Sequence, residues 1–155
     1  MKLDKIDRRI LHELQEDGRM TNVELASRAG ISAPPCLRRV RALEDQGLIR
    51  GFHARIDRAA MGYGITVFAQ VKLNSHADTD LRSFGQAMDA LAQVRESWMI
   101  AGDNDYMLKV VAKDWESYQA FLTEKLTTLP NVAAVKSTLT IKPTKEMPGI
   151  PIDVD

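Results

Sequence analysis

Leu3, Ile6, Ile10, Leu11 and Leu14 recur at spacings of three and four, with Asp4, Asp7, Arg8, Arg9 and Glu13 between them. That period places the apolar set on one face of a helix, which ends near Gly18. Thr21-Asn22-Val23-Glu24 then has the form of a capping box. In such a box the Thr hydroxyl accepts from the third helical amide and the Glu reaches back. The short helix it starts carries Val23, Leu25, Ala26 and Ala29. Gly30 suits the positive φ that follows a helix. Ser32 is placed to cap a third helix. Pro34 and Pro35 lie in its first turn, where a missing amide has no intrahelical partner to lose. Leu37, Val40 and Leu43 predict its buried stripe and Gly47 its end.

Residues 48–56 read as extended, a short wing or a connector strand. Residues 57–64 hold two glycines and no strong period, which predicts a hinge. The pattern then changes. Residues 66–73 are strand-like. Residues 79–91 are helical, with Leu81, Phe84, Met88 and Leu91 on one face. Residues 94–101 and 106–112 are strand-like, joined by turn chemistry at Gly102-Asp103-Asn104. Asp114 can cap a helix carrying Trp115, Tyr118, Phe121, Leu122 and Leu126. Residues 132–141 close the series with alternating Val135, Leu139 and Ile141. The order β-α-β-β-α-β is the split, ferredoxin-like arrangement. The predicted class is therefore α+β, an N-terminal winged helix-turn-helix followed by a βαββαβ domain. Its predicted parts are residues 1–52, a hinge at 53–64, the βαββαβ domain at 65–143 and an irregular tail at 144–155. A sheet with helices on one face leaves the other face open, which predicts dimerisation.

Charge sharpens the division. Formal net charge is zero, but residues 1–58 carry 12 Lys/Arg against 9 Asp/Glu and residues 59–155 carry 9 against 12. A modestly basic half joined to an acidic one suggests two units with different partners. Cys36 is the only cysteine, so no intramolecular disulfide forms, and a single thiol fits a reducing compartment. The charged, periodic start has no secretory pattern. The longest uncharged stretch, residues 59–71, falls short of the roughly 18 residues that predict a spanning helix. A cytoplasmic protein with no membrane contact is the expectation.

Two helices joined by a Gly-containing turn, the second rich in arginine and preceded by a third helix, have the grammar of a DNA-binding helix-turn-helix over residues 21–46. Arg38, Arg39 and Arg41 offer guanidinium forks to guanine or phosphate, and Ser32, Ala33 and Pro34 stand at the helix end that enters a groove. Arg28 and Arg50 are candidate phosphate contacts, and Asn22 completes the set. A solvated basic face on a structural helix is the bland alternative. Cys36 reads as a packing or groove-edge residue. Trp98, Trp115 and Tyr118 read as core or interface residues. His12, His53 and His76 are dispersed, and His12 with Glu16 reads as a solvated pair, so no metal site is predicted. No phosphate loop or nucleophile motif occurs, and neither catalytic residues nor a cofactor are expected.

The carrying segments are Leu3-Asp4-Lys5-Ile6-Asp7-Arg8-Arg9-Ile10-Leu11, Asn22-Val23-Glu24-Leu25-Ala26, Ser32-Ala33-Pro34-Pro35-Cys36-Leu37-Arg38-Arg39-Val40-Arg41-Ala42-Leu43-Glu44 and Gly47-Leu48-Ile49-Arg50-Gly51-Phe52. In this order they resemble the Lrp/AsnC, or feast/famine, transcriptional regulators, especially the leucine-responsive type. Gly102-Asp103-Asn104-Asp105-Tyr106-Met107-Leu108-Lys109 resembles that family's effector loop, and Leu129-Pro130-Asn131-Val132 its approach to the last strand. The resemblance implies a dimer formed through the βαββαβ (RAM) domain, further assembly to an octamer as a tetramer of dimers, and a small amino-acid effector held where dimers meet. It implies effector contacts from Gly102, Asp103, Asn104, Asp105 and Tyr106, with amides meeting the carboxylate and an Asp meeting the ammonium. Ala101 stands where the family often has Ser or Thr. Read alone, the same loop is a hairpin turn. Siroheme decarboxylases are similar to this family in both domains, but would need a histidine-bearing pocket and no basic recognition helix. A pure amino-acid sensor with a vestigial DNA module is a third reading.

Overall fold

The structure, a computed structural model, describes residues 3–154. Two compact units form. One runs to Arg55 and takes up the chain again from Lys145; the other spans Ile56–Thr144.

In the first unit α1 (Lys5–Glu16) starts at a capping box made by Asp4 and Asp7, with the Asp7 amide donating to Asp4 at 2.8 Å and the Asp4 amide to Asp7 at 3.2 Å. The box at Thr21 and Glu24 forms as its sequence predicts and starts α2 (Asn22–Ala29). Gly30, at φ +72°, ends that helix in the left-handed region, a conformation that costs glycine little. Ser32 precedes α3 (Ala33–Asp45), but its hydroxyl makes no capping bond. The reason is chemical. A cap accepts from the second or third helical amide, and those residues are Pro34 and Pro35, which have none. The buried stripe of α3 also differs from expectation. It runs through Cys36, Val40 and Leu43, whereas Leu37, one residue round the helix, is 40% exposed. Ile10, Leu25, Ala26, Cys36 and Leu43 form the core of this unit, and Val23 lies outside it, exposed. Asp7 and Glu13, expected on the polar face of α1, are both buried. Residues 50–57 form no helix or strand, so the expected wing or connector strand has no ladder among the described residues. Turns at 58–62 follow, closed by the Tyr63 amide on the Arg58 carbonyl.

The second unit is a four-stranded antiparallel sheet in the order β2-β3-β1-β4. Its strands are β1 (Ile65–Leu73), β2 (Val94–Met99), β3 (Tyr106–Ala112) and β4 (Val132–Leu139), with α4 (Asp78–Asp89) after β1 and α5 (Trp115–Phe121) after β3. Period-2 alternation sends Val67, Ala69, Val71, Leu108 and Val110 to one face, where Phe84, Met88, Tyr118, Phe121 and Leu126 from the helical segments complete the core. Asp114 caps α5 as expected, accepting from the Ser117 amide at 2.7 Å. The helical segment then widens into a π turn at Leu122–Leu126. β4 stops at Leu139, two residues early; the Thr140 amide still donates to the Thr66 carbonyl at 3.0 Å, and Ile141 beyond it is 98% exposed. Trp115 and Trp98 are exposed while Tyr118 is fully buried.

On the opposite sheet face Phe68 stands across from Lys109 and Thr138, and Gln70 across from Met107 and Lys136. Trp98 pairs with Met107 there, and Lys109 holds Glu96 at 2.9 Å. No helix of the described residues covers this face. No helix among the described residues is long and apolar enough to cross a membrane.

Candidate DNA-binding helix and effector loop

The arginines of the first unit divide into two groups. Arg39 points back to α1, with its Nη1 2.7 Å from an Asp4 oxygen and 2.6 Å from an Asp7 oxygen. It therefore ties the middle of α3 to the start of α1. These bonds hold the Arg39 guanidinium above its ordinary pKa, with Asp7 contributing more than Asp4. The Asp4 carboxyl is held below its own, first by the Asp7 amide and then by Arg39. Arg28 reaches the buried Glu13 at 3.0 Å, and Arg9 holds the other oxygen of that carboxylate at 2.8 Å. The Asn22 side-chain amide donates to the Ala33 carbonyl at 2.8 Å, fastening the start of α2 to the start of α3.

Arg38, Arg41 and Arg50 are exposed and make no ion pair among the described residues. Pro34, Leu37, Arg38, Arg41 and Glu44 are all exposed on α3. Their spacing of three and four makes them one continuous solvent stripe. Ser32 is exposed just before it, and Ala33 is half-buried beneath it. The stripe thus contains Leu37, which periodicity assigns to the core. Cys36 lies behind it at 0% exposure, and burial pushes its thiol above the ordinary value against the opposing charge of Arg39. Buried thiols of this kind are poor nucleophiles.

The second candidate site is the loop between β2 and β3. Gly102 (φ +152°) and Asp103 are exposed, Asn104 and Asp105 are half-buried, and Tyr106 is buried. The Asp105 carboxylate is already occupied. One oxygen accepts the Leu73 amide at 2.7 Å and the other meets His76 Nε2 at 2.8 Å. The Leu73 amide is the leading cause of its lowered pKa, followed by His76 and then Lys72. Asp105 therefore fastens the loop to the β1–α4 connection. Asn131, at φ +75°, braces that connection in turn through bonds to the Ser75 amide and carbonyl at 2.6 and 2.9 Å. Asn104 donates to Gln70 on the open sheet face at 2.9 Å. Tyr106 donates to the Leu81 carbonyl at 3.2 Å and lies 4.6 Å from Phe84, ring centre to ring centre. Of the five loop residues, only Gly102 and Asp103 leave their polar groups to solvent.

Tyr106 also lines a groove of about 530 Å³ with Asp78, Leu81, Arg82, Gln86 and Met99. It offers a carboxylate, a guanidinium and an apolar floor. No motif in the sequence marks it, because its residues come from three separate segments. A larger cavity, about 620 Å³, lies at the other end of β3 and shares no residue with the loop. No group of three His, Cys, Asp or Glu among the described residues could hold a metal ion.

Residues 3–50 match the winged helix-turn-helix DNA-binding family, and residues 66–150 match the Lrp/AsnC ligand binding domain. The chain belongs to the Lrp/AsnC family. It is 48% identical to the leucine-responsive regulatory protein of Rhizobium meliloti (strain 1021), over 94% of each chain. It is 42% identical to the Bkd operon transcriptional regulator of Pseudomonas aeruginosa, over 91% of this chain and 92% of that one. Among solved structures it is similar to a Neisseria meningitidis transcriptional regulator in complex with L-Met, with a TM-score of 0.93 and 31% identity over 98% of both chains. This Lrp/AsnC protein is thus a DNA-binding transcriptional regulator with a ligand-binding domain, and not an enzyme.

Proposed function

We propose that this regulator reads duplex DNA with the exposed stripe of α3 and that an amino acid bound at the loop of residues 102–106 modulates its binding or assembly. The observation that carries the first part is the sorting of the arginines. Arg38 and Arg41 face solvent together without an ion pair among the described residues, while Arg39 is bonded to Asp4 and Asp7 and Arg28, itself exposed, to Glu13. In this reading Arg38 and Arg41 meet guanine edges or phosphates, Leu37 meets thymine methyl groups, and Arg50 adds a phosphate contact. Ser32, Ala33 and Pro34 approach the groove at the helix start. Asn22, Arg28 and Arg39 hold α2 and α3 at the angle the groove requires.

For the effector, an amino acid is supported by the Neisseria regulator solved with L-Met. The loop amides suit a carboxylate. Asp103 is the acid with an open carboxylate for an ammonium group, since both oxygens of Asp105 are already engaged. Asn104, Asp105 and Tyr106 fix the loop from behind. The uncovered sheet face with Phe68, Met107 and Trp98 is the surface we assign to a dimer. Such dimers assemble further, to an octamer in the family pattern, with effectors held where they meet. Two helix-turn-helix units per dimer would read half-sites about one helical turn apart, or a multiple of it. The reducing cytoplasm is the compartment that fits DNA as partner.

The test is light scattering and duplex affinity with a panel of amino acids, on the wild type and on Asp103→Ala and Asp105→Ala. A wild-type response that both variants lose supports the loop. An unaltered response in both removes the loop from the effector site.

A further inference from the structure

The ligand-binding family match runs to residue 150. The structure divides the chain differently. From Lys145 onward the chain belongs to the DNA-binding unit. The contact is specific in its chemistry. The Gln15 side-chain amide on α1 donates to the Ile150 carbonyl at 2.7 Å, and the Ile150 amide donates back to Gln15 Oε1 at 2.9 Å. A side-chain amide thus pairs with the N–H and the carbonyl of one residue, at both its donor and its acceptor, as a neighbouring strand would. Gly149 precedes that pair at φ +71°, and a Cβ there would overlap the Gln15 side-chain oxygen. Glycine suits both that φ and this close approach. An open space of about 500 Å³ remains between the segment and the rest of the unit. Leu11, Leu14, Leu48 and Phe52 line one side, and Ile150 and Ile152 come from the segment itself. Gly18 supports the wall, where a Cβ would stand 3.2 Å from the Phe52 ring. Arg55 and Glu146, 3.8 Å apart, mark where the segment enters the unit.

We propose that the groove between α1 and residues 48–52 is a docking site for a peptide segment, and that its occupant is the chain's own C-terminal residues 148–153. The DNA-binding unit is then built from both ends of the chain. The docked segment is a strap across residues 48–52, which carry Arg50. It also gives the ligand-binding unit a second covalent connection to the DNA-binding unit, besides the hinge. This inference does not depend on which residues meet DNA or an effector.

Amide hydrogen exchange on the full chain tests it. The Ile150 amide should be protected in the wild type. Gln15→Ala removes both bonds and should speed its exchange by at least roughly threefold, the low end expected for one hydrogen bond. Gly149→Val, which excludes the segment by bulk, should do the same and also speed exchange at residues 48–52. A chain carrying both Gln15→Cys and Gly149→Cys tests the occupant. A Cβ at 149 would lie 2.6 Å from Gln15 Cγ, the atom whose place the introduced sulfur would take. Oxidation should give a disulfide within one chain, running as a monomer on a denaturing gel without reductant. An Ile150 amide that exchanges as fast in the wild type as in Gln15→Ala would overturn the docking. A cross-linked dimer would overturn the assignment of the chain's own segment and make a second copy the occupant.

Discussion

Replacing Arg39 by Ala separates architecture from recognition, because Arg39 sits one residue from Arg38 and two from Arg41 yet faces the opposite way. The variant removes a guanidinium bonded at 2.6 Å to Asp7, whose side chain is 9% exposed. A hydrogen bond to a charged group contributes about 1.5–3 kcal/mol, and breaking a fully buried pair from one side costs about 3–5 kcal/mol. Arg39 itself keeps 33% of its side-chain exposure, so water reaches the pair and the low end applies, about 1.5–2 kcal/mol. In a unit of 66 residues that lowers the melting temperature by roughly 10 °C. Circular dichroism of the full chain, with hydrogen exchange in α1 and α3 to assign the transition, reads the effect. Adding Asp7→Asn should recover part of the loss, since the uncompensated charge is then gone. Duplex affinity measured well below the transition should keep its wild-type salt dependence, because no phosphate contact has been removed. Unchanged stability in Arg39→Ala, together with a flattened salt dependence, would refute this role and put Arg39 on the DNA.

Other outcomes rest on burial and on the loop geometry. Tyr118→Phe removes a fully buried hydroxyl 2.5 Å from Ser137 Oγ and should cost about 1 kcal/mol by chemical denaturation of the ligand-binding unit, with little change in fold. The Asp105 carboxyl titrates below its ordinary value of 3.8, so its contribution to stability is present above that value and is lost as pH falls through the lower, folded-state value. In an NMR titration the Leu73 amide resonance should move with its inflection below 3.8. Cys36 should resist iodoacetamide in the folded protein and react on unfolding; rapid labelling of the native chain would contradict its burial.

What was legible in the sequence was local. The Thr21 to Glu24 box, the turn at Gly30 and the alternation in β1 and β3 each depend on neighbours within a few residues, and each forms as its pattern predicts. Ser32 departs from its pattern for a reason that is local too: the amides it would cap belong to Pro34 and Pro35. Leu37 departs because a three-residue period fits Leu37, Val40 and Leu43 as well as the true stripe through Cys36. The division of the arginines is not legible, since the partner of Arg39 is Asp7, 32 residues away, and that of Arg28 is Glu13, 15 away. The same holds for Asp105, whose carboxylate is claimed by Leu73 and His76 across a strand pairing. The tail has no period at all, and its contact with Gln15 spans 135 residues.

DNA recognition is proposed for the Arg38 and Arg41 face of α3. Duplex affinity against salt concentration, for the wild type and for Arg38→Ala combined with Arg41→Ala, probes that face alone. The double variant should keep its melting temperature and oligomeric size, lose at least about tenfold in affinity, and show a salt slope shallower by up to about two contacts per helix. Unchanged affinity and slope in a folded, correctly assembled double variant would show that DNA is met elsewhere.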